Sequence, residues 1–490
     1  MTDSATMRHA LRQFWVTHRK TLVPELTTAL AKDRAKRAEA SMLRLVAGYE
    51  LLPALQAEYL PRYQALLQEA QGLARTADIE PEIIPSGAES GVDHPVFVGV
   101  PVVAGKLEAL ISALQKASVT RPTIGPSLDR LIAGVCSCEA ACRSDYERRV
   151  LALAEPTQAE AAGQELTVNS LQRYLRAHSL GSPDIVVASV NEVPGGRSKR
   201  TVLVALSPCG ALPPEIVLRI DTGRNVENSV TGEFPLLDRV AKRGMPVPEP
   251  LWLESSTTHF GSAFIVFRRM PGASAGDLIE GAFRKEPATA LTLARVLARI
   301  HADSVALLET PAERGSAVPH THELLSHYFN AWRRAKPFPS LVIETAFMWL
   351  FRRINDGLGE ATVVQADTGF HNLLIDARGN GCLLDWEFAH FGDPAEDLAS
   401  CRPAVTQCMR WNDFLEEYQV NGGKPVSEFR LQYFEIWRPL RNAVLCGGVL
   451  NALMRGPADD IDPVTIALST FVRLQADLAN SLDRIVRATN

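Results

Sequence analysis

The chain has 490 residues, with 51 Lys and Arg against 56 Asp and Glu, for a formal net charge of −5. Apolar residues make up 46% and charged residues 22%, an ordinary globular composition that excludes collagen-like, fibrous and wholly disordered chains. No cationic excess is present to neutralise phosphates, which argues against bulk nucleic-acid binding; the length predicts two or three domains of roughly 100–200 residues each.

Residues 1–10 are polar and lack the apolar run of an export signal. Residues 1–165 read as a mostly α-helical domain of unassigned role. Leu22, Leu26, Ala29 and Leu30 recur at helical spacing, as do Met42, Leu45, Val46 and Tyr49, then Leu107, Leu110, Ile111 and Leu114, and a further block over 128–153. Between them, 79–103 carries Pro81, Pro85, Gly87, Gly91, Pro95, Gly99 and Pro101 and reads as a long connection with short extended pieces. Polar residues 155–165 mark the domain boundary. The β-branched runs 185–190, 202–206 and 216–220 then predict strands. A helix over 231–243 and a strand over 263–267 follow. From Ala288 helices dominate, broken by strand-like pieces at 373–376 and 382–385. The expected order is therefore a helical domain, a small β-rich lobe over 166–270 and a larger helical lobe over 271–490. Residues 444–454 are the most apolar stretch. They fall short of the ~20 residues a membrane span needs, contain Asn451 and are flanked by Arg441 and Arg455, so they read as buried helix. Eight cysteines in this length do not form a disulfide framework, and a reducing cytoplasm is the expected compartment.

The chemistry-bearing stretch is 363–398, VVQADTGFHNLLIDARGNGCLLDWEFAHFGDPAEDL. Asp367 is followed five positions on by Asn372, and Asp385 comes thirteen later at the end of an apolar strand. Phosphoryl transfer needs such a set. A carboxylate orients the attacking hydroxyl, and an amide oxygen and a second carboxylate hold Mg²⁺ against nucleotide phosphates.

These motifs resemble the aminoglycoside-phosphotransferase and choline-kinase family of small-molecule kinases, with its H-G-D-x-x-x-x-N loop, D-W-E-like strand end and G-D-P-x-x-D-L element. Here they read Gln365-Ala366-Asp367 with Asn372, Leu384-Asp385-Trp386-Glu387, and Gly392-Asp393-Pro394-Ala395-Glu396-Asp397-Leu398. The motif form is nearest the subgroup associated with acyl-CoA dehydrogenases. The resemblance covers about residues 166–490 and leaves the N-terminal third unexplained. It implies an α+β, bilobal protein-kinase-like fold in the chain's last two thirds. It further implies ATP, with GTP as the alternative donor, and Mg²⁺. Asp367 becomes the catalytic base, and Asn372 and Asp385 the metal ligands. The segment with Gly195, Gly196, Ser198, Lys199 and Thr201 resembles the nucleotide-covering loop. Arg219 falls where such kinases carry a phosphate-contacting Lys, with Glu233 as its acidic partner. Phe267 and Arg269 fall in the hinge whose main chain meets adenine. Two departures stand out: Arg219 replaces the usual Lys, and Gln365 the usual His, which supports the loop rather than doing chemistry, so that change is discounted; Ala366 for the usual Gly is read as minor.

Other features carry plainer readings. Asp393 and Asp397 read as supports of the catalytic loop, with Asp397 accepting its backbone hydrogen bonds. His301 reads as packing or a helix-end contact, and Glu387 as an accessory to the metal or substrate. Cys136, Cys138 and Cys142 lack the second ligand pair a zinc site wants and read as buried thiols. The run Lys32, Arg34, Lys36 and Arg37 reads as a solvated helix face. The expected acceptor is a small-molecule hydroxyl, with a hydroxyacyl-CoA or related catabolic intermediate first. An aminoglycoside, macrolide or amino alcohol stands second, and a nucleotide-binding regulatory module without turnover third. Basic residues between 320 and 353 favour an anionic acceptor. No nucleic-acid or membrane partner is expected, and the N-terminal helices offer a route to a homodimer or a lid.

Overall fold

Leu107, Leu110, Ile111 and Leu114 stand at i, i+3, i+4 and i+7, and all four are buried; Leu128, Leu131, Ile132 and Val135 repeat the pattern. This spacing puts one apolar stripe on each helix, which packs only when another helix covers it. The structure, a computed structural model, describes residues 18, 23, 26, 29–77, 79, 101–153, 167–178, 183–193, 199–221, 229–276, 283–307, 315–335, 340–455 and 461–489. The first helices are α1 (Ala29–Thr76), α2 (Pro101–Thr120) and α3 (Gly125–Leu153). Of the first expected repeat, Ala29 and Leu30 lie in α1, Leu26 lies outside a helix, and Leu22 is outside the described residues. Pro101 to Val103, expected in a connection, open α2, where a first-position proline loses no helical hydrogen bond. Residues 80–100 and 154–166, which hold the expected extended pieces and the boundary, lie outside the described residues.

Next come α4 (Val168–Ala177), β1 (Val187–Val193), β2 (Lys199–Leu206), β3 (Glu215–Asp221), α5 (Val230–Lys242), β4 (Pro250–Glu254) and β5 (Phe264–Arg268). The strands form one antiparallel sheet in the order β1-β2-β3-β5-β4. Strands 1, 2, 3 and 5 match the sequence reading within a few residues; α4 and β4 were not anticipated. Leu171 and Leu175 of α4 join Val202, Val204, Ile216, Leu218 and Val266 in a buried core on one sheet face. On the other face lie Thr201, Arg219 and Ile265, aligned across three strands. Helix α5 contacts β3, β4 and β5. Central strand β5 is thus covered on both sides, and its Phe264-Ile265-Val266-Phe267 run is buried throughout. Asp221 at the end of β3 accepts hydrogen bonds from Ser229 Oγ (2.6 Å) and Val230 N (3.1 Å), which ties the strand to the start of α5.

The remaining elements are β6 (Ala273–Ser274), α6 (Pro287–Ser304), α7 (Val318–Ala335), α8 (Leu341–Arg353), β7 (Thr362–Val364), β8 (Leu373–Ile375), β9 (Gly381–Leu383), β10 (His390–Gly392), α9 (Ala395–Val405), α10 (Trp411–Val420), α11 (Glu428–Arg455) and α12 (Ile461–Thr489). The α+β, kinase-like architecture expected from the sequence is present, with a β-rich lobe followed by a mostly helical one. The apolar 444–454 stretch lies in α11, with Val444 and Leu450 buried, and among the described residues no helix is long and apolar enough to cross a membrane. The three cysteines of α3 are buried and free.

The chain divides into two compact units, one of residues 1–162, 324–353 and 436–490, the other of 163–323 and 354–435. Segments 324–353 and 436–490, which the sequence reading assigned to the helical lobe, group instead with the N-terminal helices. In that unit α12 packs on α3, α1 and α8. Tyr63 Oη donates to Glu139 Oε1 at 2.5 Å, and Arg143 Nε to Glu139 Oε2 at 2.7 Å, which fixes a buried polar network between α1 and α3.

Gly272 follows β5 with φ +124°, and a Cβ there would lie 2.7 Å from the Ile375 carbonyl oxygen. Gly379, in the β8–β9 turn, has φ +81° but open space around it. Gly379→Ala should cost about 1 kcal/mol of backbone strain, and Gly272→Ala about 3 kcal/mol because a backbone clash adds to the strain. Urea unfolding of the two variants separates these contributions.

Candidate active site

Strand β7 is buried along its whole length and delivers the chain to Gln365, Ala366 and Asp367. The main chain there cannot find sheet partners, and a buried carboxylate supplies them. Asp397, fully buried near the start of α9, accepts from Gln365 N at 2.9 Å and Ala366 N at 2.7 Å. Thr368 Oγ1 lies 2.8 Å from Asp397 Oδ1 and 3.0 Å from Gln365 Oε1. His301 Nε2 stands 3.0 Å from Asp397 Oδ2, and its Nδ1 2.9 Å from Tyr418 Oη. Burial alone would raise the Asp397 pKa; hydrogen bonds from His301, Gln365 N and Thr368 outweigh it and hold the group below the usual carboxylate range. Asp393 is a second support. It accepts from Gly359 N at 2.6 Å and Ala395 N at 2.8 Å and pairs with Arg430.

Gln365 does more than its sequence reading allowed. It is fully buried, accepts from Asp367 N at 2.9 Å, and donates from Nε2 to the carbonyls of Leu384 (2.9 Å) and Asp385. One amide thus holds the Asp367 loop and the Asp385 strand end together. A side chain with both a donor and an acceptor suits this place. Ala366 and Asp385 both have left-handed backbones, at φ 66° and 58°. Ala366 at the usual glycine position is therefore not a minor change: a Cβ in this region is strained by about 1–2 kcal/mol. Asp tolerates it better, through its short polar side chain.

Residues 370–372 form one 3₁₀ turn. Asn372 Nδ2 donates to Asp367 O at 3.1 Å and lies 3.5 Å from Asp367 Oδ2. Leu384 N donates to Asn372 O at 2.7 Å, which sets Asp385 beside Asn372. His371 Nε2 is 3.6 Å from Asp367 Oδ2. The sheet contributes a charge cluster to this strand end. Arg219 pairs with Asp385, stands 3.5 Å from Glu233 Oε1 and 3.9 Å from Glu387 Oε2. Burial opposes the Arg219 charge, but Asp385, Glu233 and Glu387 more than compensate and raise its pKa. Burial pushes the Glu233 carboxyl up, and Arg219 and Lys199 draw it part-way back.

Asp367, Asn372, Asp385, Arg219, Glu233 and Lys199 thus gather in one unit, and Thr201 sits directly opposite Arg219 in the β2–β3 register. Gly195, Gly196 and Ser198 lie outside the described residues. Phe267 is buried in β5. Arg269 is held just past the end of β5, against the first residue of β3. Its N–H donates to Glu215 O at 3.2 Å and its guanidinium pairs with the Glu215 side chain, roughly 13 Å along β3 from Arg219 at ~3.3 Å per residue. Arg333, Arg334, Arg352 and Arg353 group with the helical unit, where Arg352 pairs with Asp129. Lys336 is outside the described residues.

The sequence model of the family described as phosphotransferase enzyme family, APH, matches residues 189–432. These residues belong to that phosphotransferase family. The match places a domain of this phosphotransferase family in the chain. Acyl-CoA dehydrogenase family member 11 of Rattus norvegicus is 24% identical over 247 residues, covering 47% of this chain and 30% of that protein. The Homo sapiens protein of the same name is 22% identical over 245 residues, with the same coverages. The chain therefore spans less than a third of these relatives. Among solved structures, a putative aminoglycoside phosphotransferase from Ralstonia eutropha aligns with a TM-score of 0.46 and 16% identity, over 65% of this chain and 98% of that one. Choline kinase LicA from Streptococcus pneumoniae aligns with 0.43 and 15%, over 60% and 94%.

Because the folded Asp397 pKa is depressed, its stabilisation is present above the unfolded value of about 3.9 and is lost as pH falls through the folded one. Asp397→Asn should therefore destabilise by about 3 kcal/mol at pH 7. The gap to wild type should narrow below about pH 4, read by denaturant unfolding at both pH values.

Proposed function

We propose that this phosphotransferase transfers the terminal phosphoryl group of ATP to a hydroxyl of a small molecule, with a hydroxylated acyl thioester as the first acceptor class. The observation that carries the reading is the Asp367–Asn372–Asp385 grouping, tied by the Asn372 bonds to Asp367 and by Leu384 N to Asn372 O. Asp367 accepts or orients the proton of the attacking hydroxyl. Asn372 spends its Nδ2 on Asp367, which orients the amide so that its oxygen serves as a ligand. The matched relatives, named for an acyl-CoA dehydrogenase family, support the acyl-thioester class.

An amide oxygen and a carboxylate are hard donors of the kind Mg²⁺ takes when phosphates complete its shell. The guanidinium against Asp385 marks that carboxylate as a place where positive charge is favoured. The donor set fits the ion, with Asn372 and Asp385 as its holders. Bound there, Mg²⁺ supplies neutralisation of charge on the phosphate oxygens. Arg219 contributes a second fixed positive charge, and Glu233 keeps that guanidinium aimed at the strand end. Catalysis by these residues is positioning plus charge complementarity in a preformed site.

A metabolite library with ATP, scored for mass gain of one phosphate, tests the reading. Wild type should phosphorylate at least one hydroxylated compound, and Asp367→Asn should lose about 10²–10⁴-fold in rate with its fold intact. Retained transfer in Asp367→Asn refutes the base assignment. Asp385→Asn should keep the left-handed turn and lose Mg²⁺-dependent nucleotide affinity, whereas Asp385→Ala should add backbone strain of about 1 kcal/mol. Melting curves with calorimetry of nucleotide binding distinguish the two.

A further inference from the structure

His371 lies between Asp367 and Asn372 in the chain, and the fold holds it closely. Ser274 Oγ donates to its carbonyl oxygen at 3.1 Å. A Cβ at Gly276 would lie 3.1 Å from its main-chain nitrogen, and a Cβ at Gly369 would lie 2.6 Å from its ring carbon Cε1. Glycine at these two places lets one segment press on the His371 main chain and lets the imidazole lie against the loop that carries it. The neighbouring Phe370 is buried and packs on Phe283, with ring centroids 5.3 Å apart, which anchors the turn.

So placed, the ring turns Nε2 to the Asp367 carboxylate, 3.6 Å from Oδ2. Asn372 Nδ2 approaches the same oxygen at 3.5 Å while it also donates to Asp367 O at 3.1 Å. Nε2 is buried and has no hydrogen-bond partner among the described residues. A buried nitrogen left unpaired costs about 1–3 kcal/mol, so closing on Oδ2 is favoured, and roughly half an ångström of movement brings the pair into ordinary hydrogen-bond range. Catalytic hydrogen bonds that are long in an empty site tighten in this way when substrate binds. The Asp367 main chain is already fixed, by Gln365 Oε1 at its N–H and by Asn372 at its carbonyl. Those contacts leave the carboxylate its rotation about Cβ–Cγ. One Asn372 nitrogen, divided between two oxygens, holds that rotation weakly; a second donor on Oδ2 holds it at two points.

Resting on the assignment of Asp367 as the base, we infer that His371 is the positioning residue of that base. Its Nε2–H donates to Asp367 Oδ2 as the site fills and, together with Asn372 Nδ2, sets the carboxylate's rotation toward the attacking hydroxyl. The proton of that hydroxyl passes to Asp367, and His371 gives none up. An imidazole suits the task because a stiff ring carries its donor at the far edge, fixed relative to the main chain.

The test is steady-state release of phosphate from radiolabelled ATP with Mg²⁺ by the full chain, water serving as the acceptor. His371→Leu should lose roughly 10–100-fold in kcat, the range for one hydrogen bond to a charged group, with its KM for ATP unchanged. His371→Gln, whose amide nitrogen has a similar reach and cannot ionise, should recover most of the loss. In the Asp367→Asn background His371→Leu should change the residual rate by less than about twofold, because a residue that acts only through the base has nothing left to position. A wild-type rate in His371→Leu overturns the proposal. The same loss in both backgrounds also overturns it, since His371 would then meet the phosphate or the attacking water directly. A raised KM with kcat unchanged, or a loss that His371→Gln does not recover, assigns the residue to nucleotide binding or to the fold and overturns it as well. Loss in Asp367→Asn without loss in His371→Leu sinks this inference alone. A wild-type rate in Asp367→Asn, or no phosphate release by wild type, sinks the base assignment and this inference with it.

Discussion

One buried carboxylate organises the catalytic half of the molecule. Asp397 has no exposure and satisfies two main-chain N–H groups, one hydroxyl and one imidazole. All but the imidazole belong to a loop that has left its strand and has no sheet to join. Unpaired, each buried donor would cost about 1–3 kcal/mol. The loop's position is therefore set from beneath, and the surface above it stays available for Asp367. His301, tied to Tyr418, closes the arrangement from α6 and α10.

From that base a short relay of contacts fixes the rest. Gln365 spans from the Asp367 amide to the carbonyls of Leu384 and Asp385, and Asn372 accepts from Leu384 N. The two strained backbones, Ala366 and Asp385, sit at the two ends of this relay. Strain of this kind persists only where surroundings over-determine it, and here Asp397 on one side and Gln365 on the other do so. The Arg219, Lys199, Glu233 and Glu387 charges then crowd onto the same strand end.

Much of this was legible in the residues. That Asp367, Asn372, Asp385 and Asp397 come together follows from spacing within thirty-odd positions, because a loop, a hairpin and a helix start are local structures. The β-branched runs at 202–206 and 216–220 gave correct strands for the same reason. What spacing cannot carry is long-range pairing. Lys199, read with the nucleotide-covering loop, opens β2 and is buried against Glu387, a partner 188 positions away that no local pattern reveals. Gln365 looked like a tolerable replacement for His, since its two-sided bonding is visible only when Leu384 is folded beside it. Strand β4 is short and opens with Pro250, so its sequence hides a strand whose place is fixed by β5. Segments 324–353 and 436–490 are helical by pattern, but nothing in their periodicity says which helices they accompany.

That last grouping bears on biosynthesis. The helical unit brings together 1–162, 324–353 and 436–490, and α12 supplies Phe471, Leu478 and Leu482 as buried residues within it. The opening helices leave the ribosome long before α12 exists, roughly tens of seconds earlier at ~5–20 residues per second. Throughout that interval the faces of α1 and α3 that α12 covers lack that partner. A cut near residue 165 would make the same exposure permanent on the other side, stranding α12 without α1 and α3. The N-terminal third is thus less an appendage than one half of a clasp whose other half is translated last.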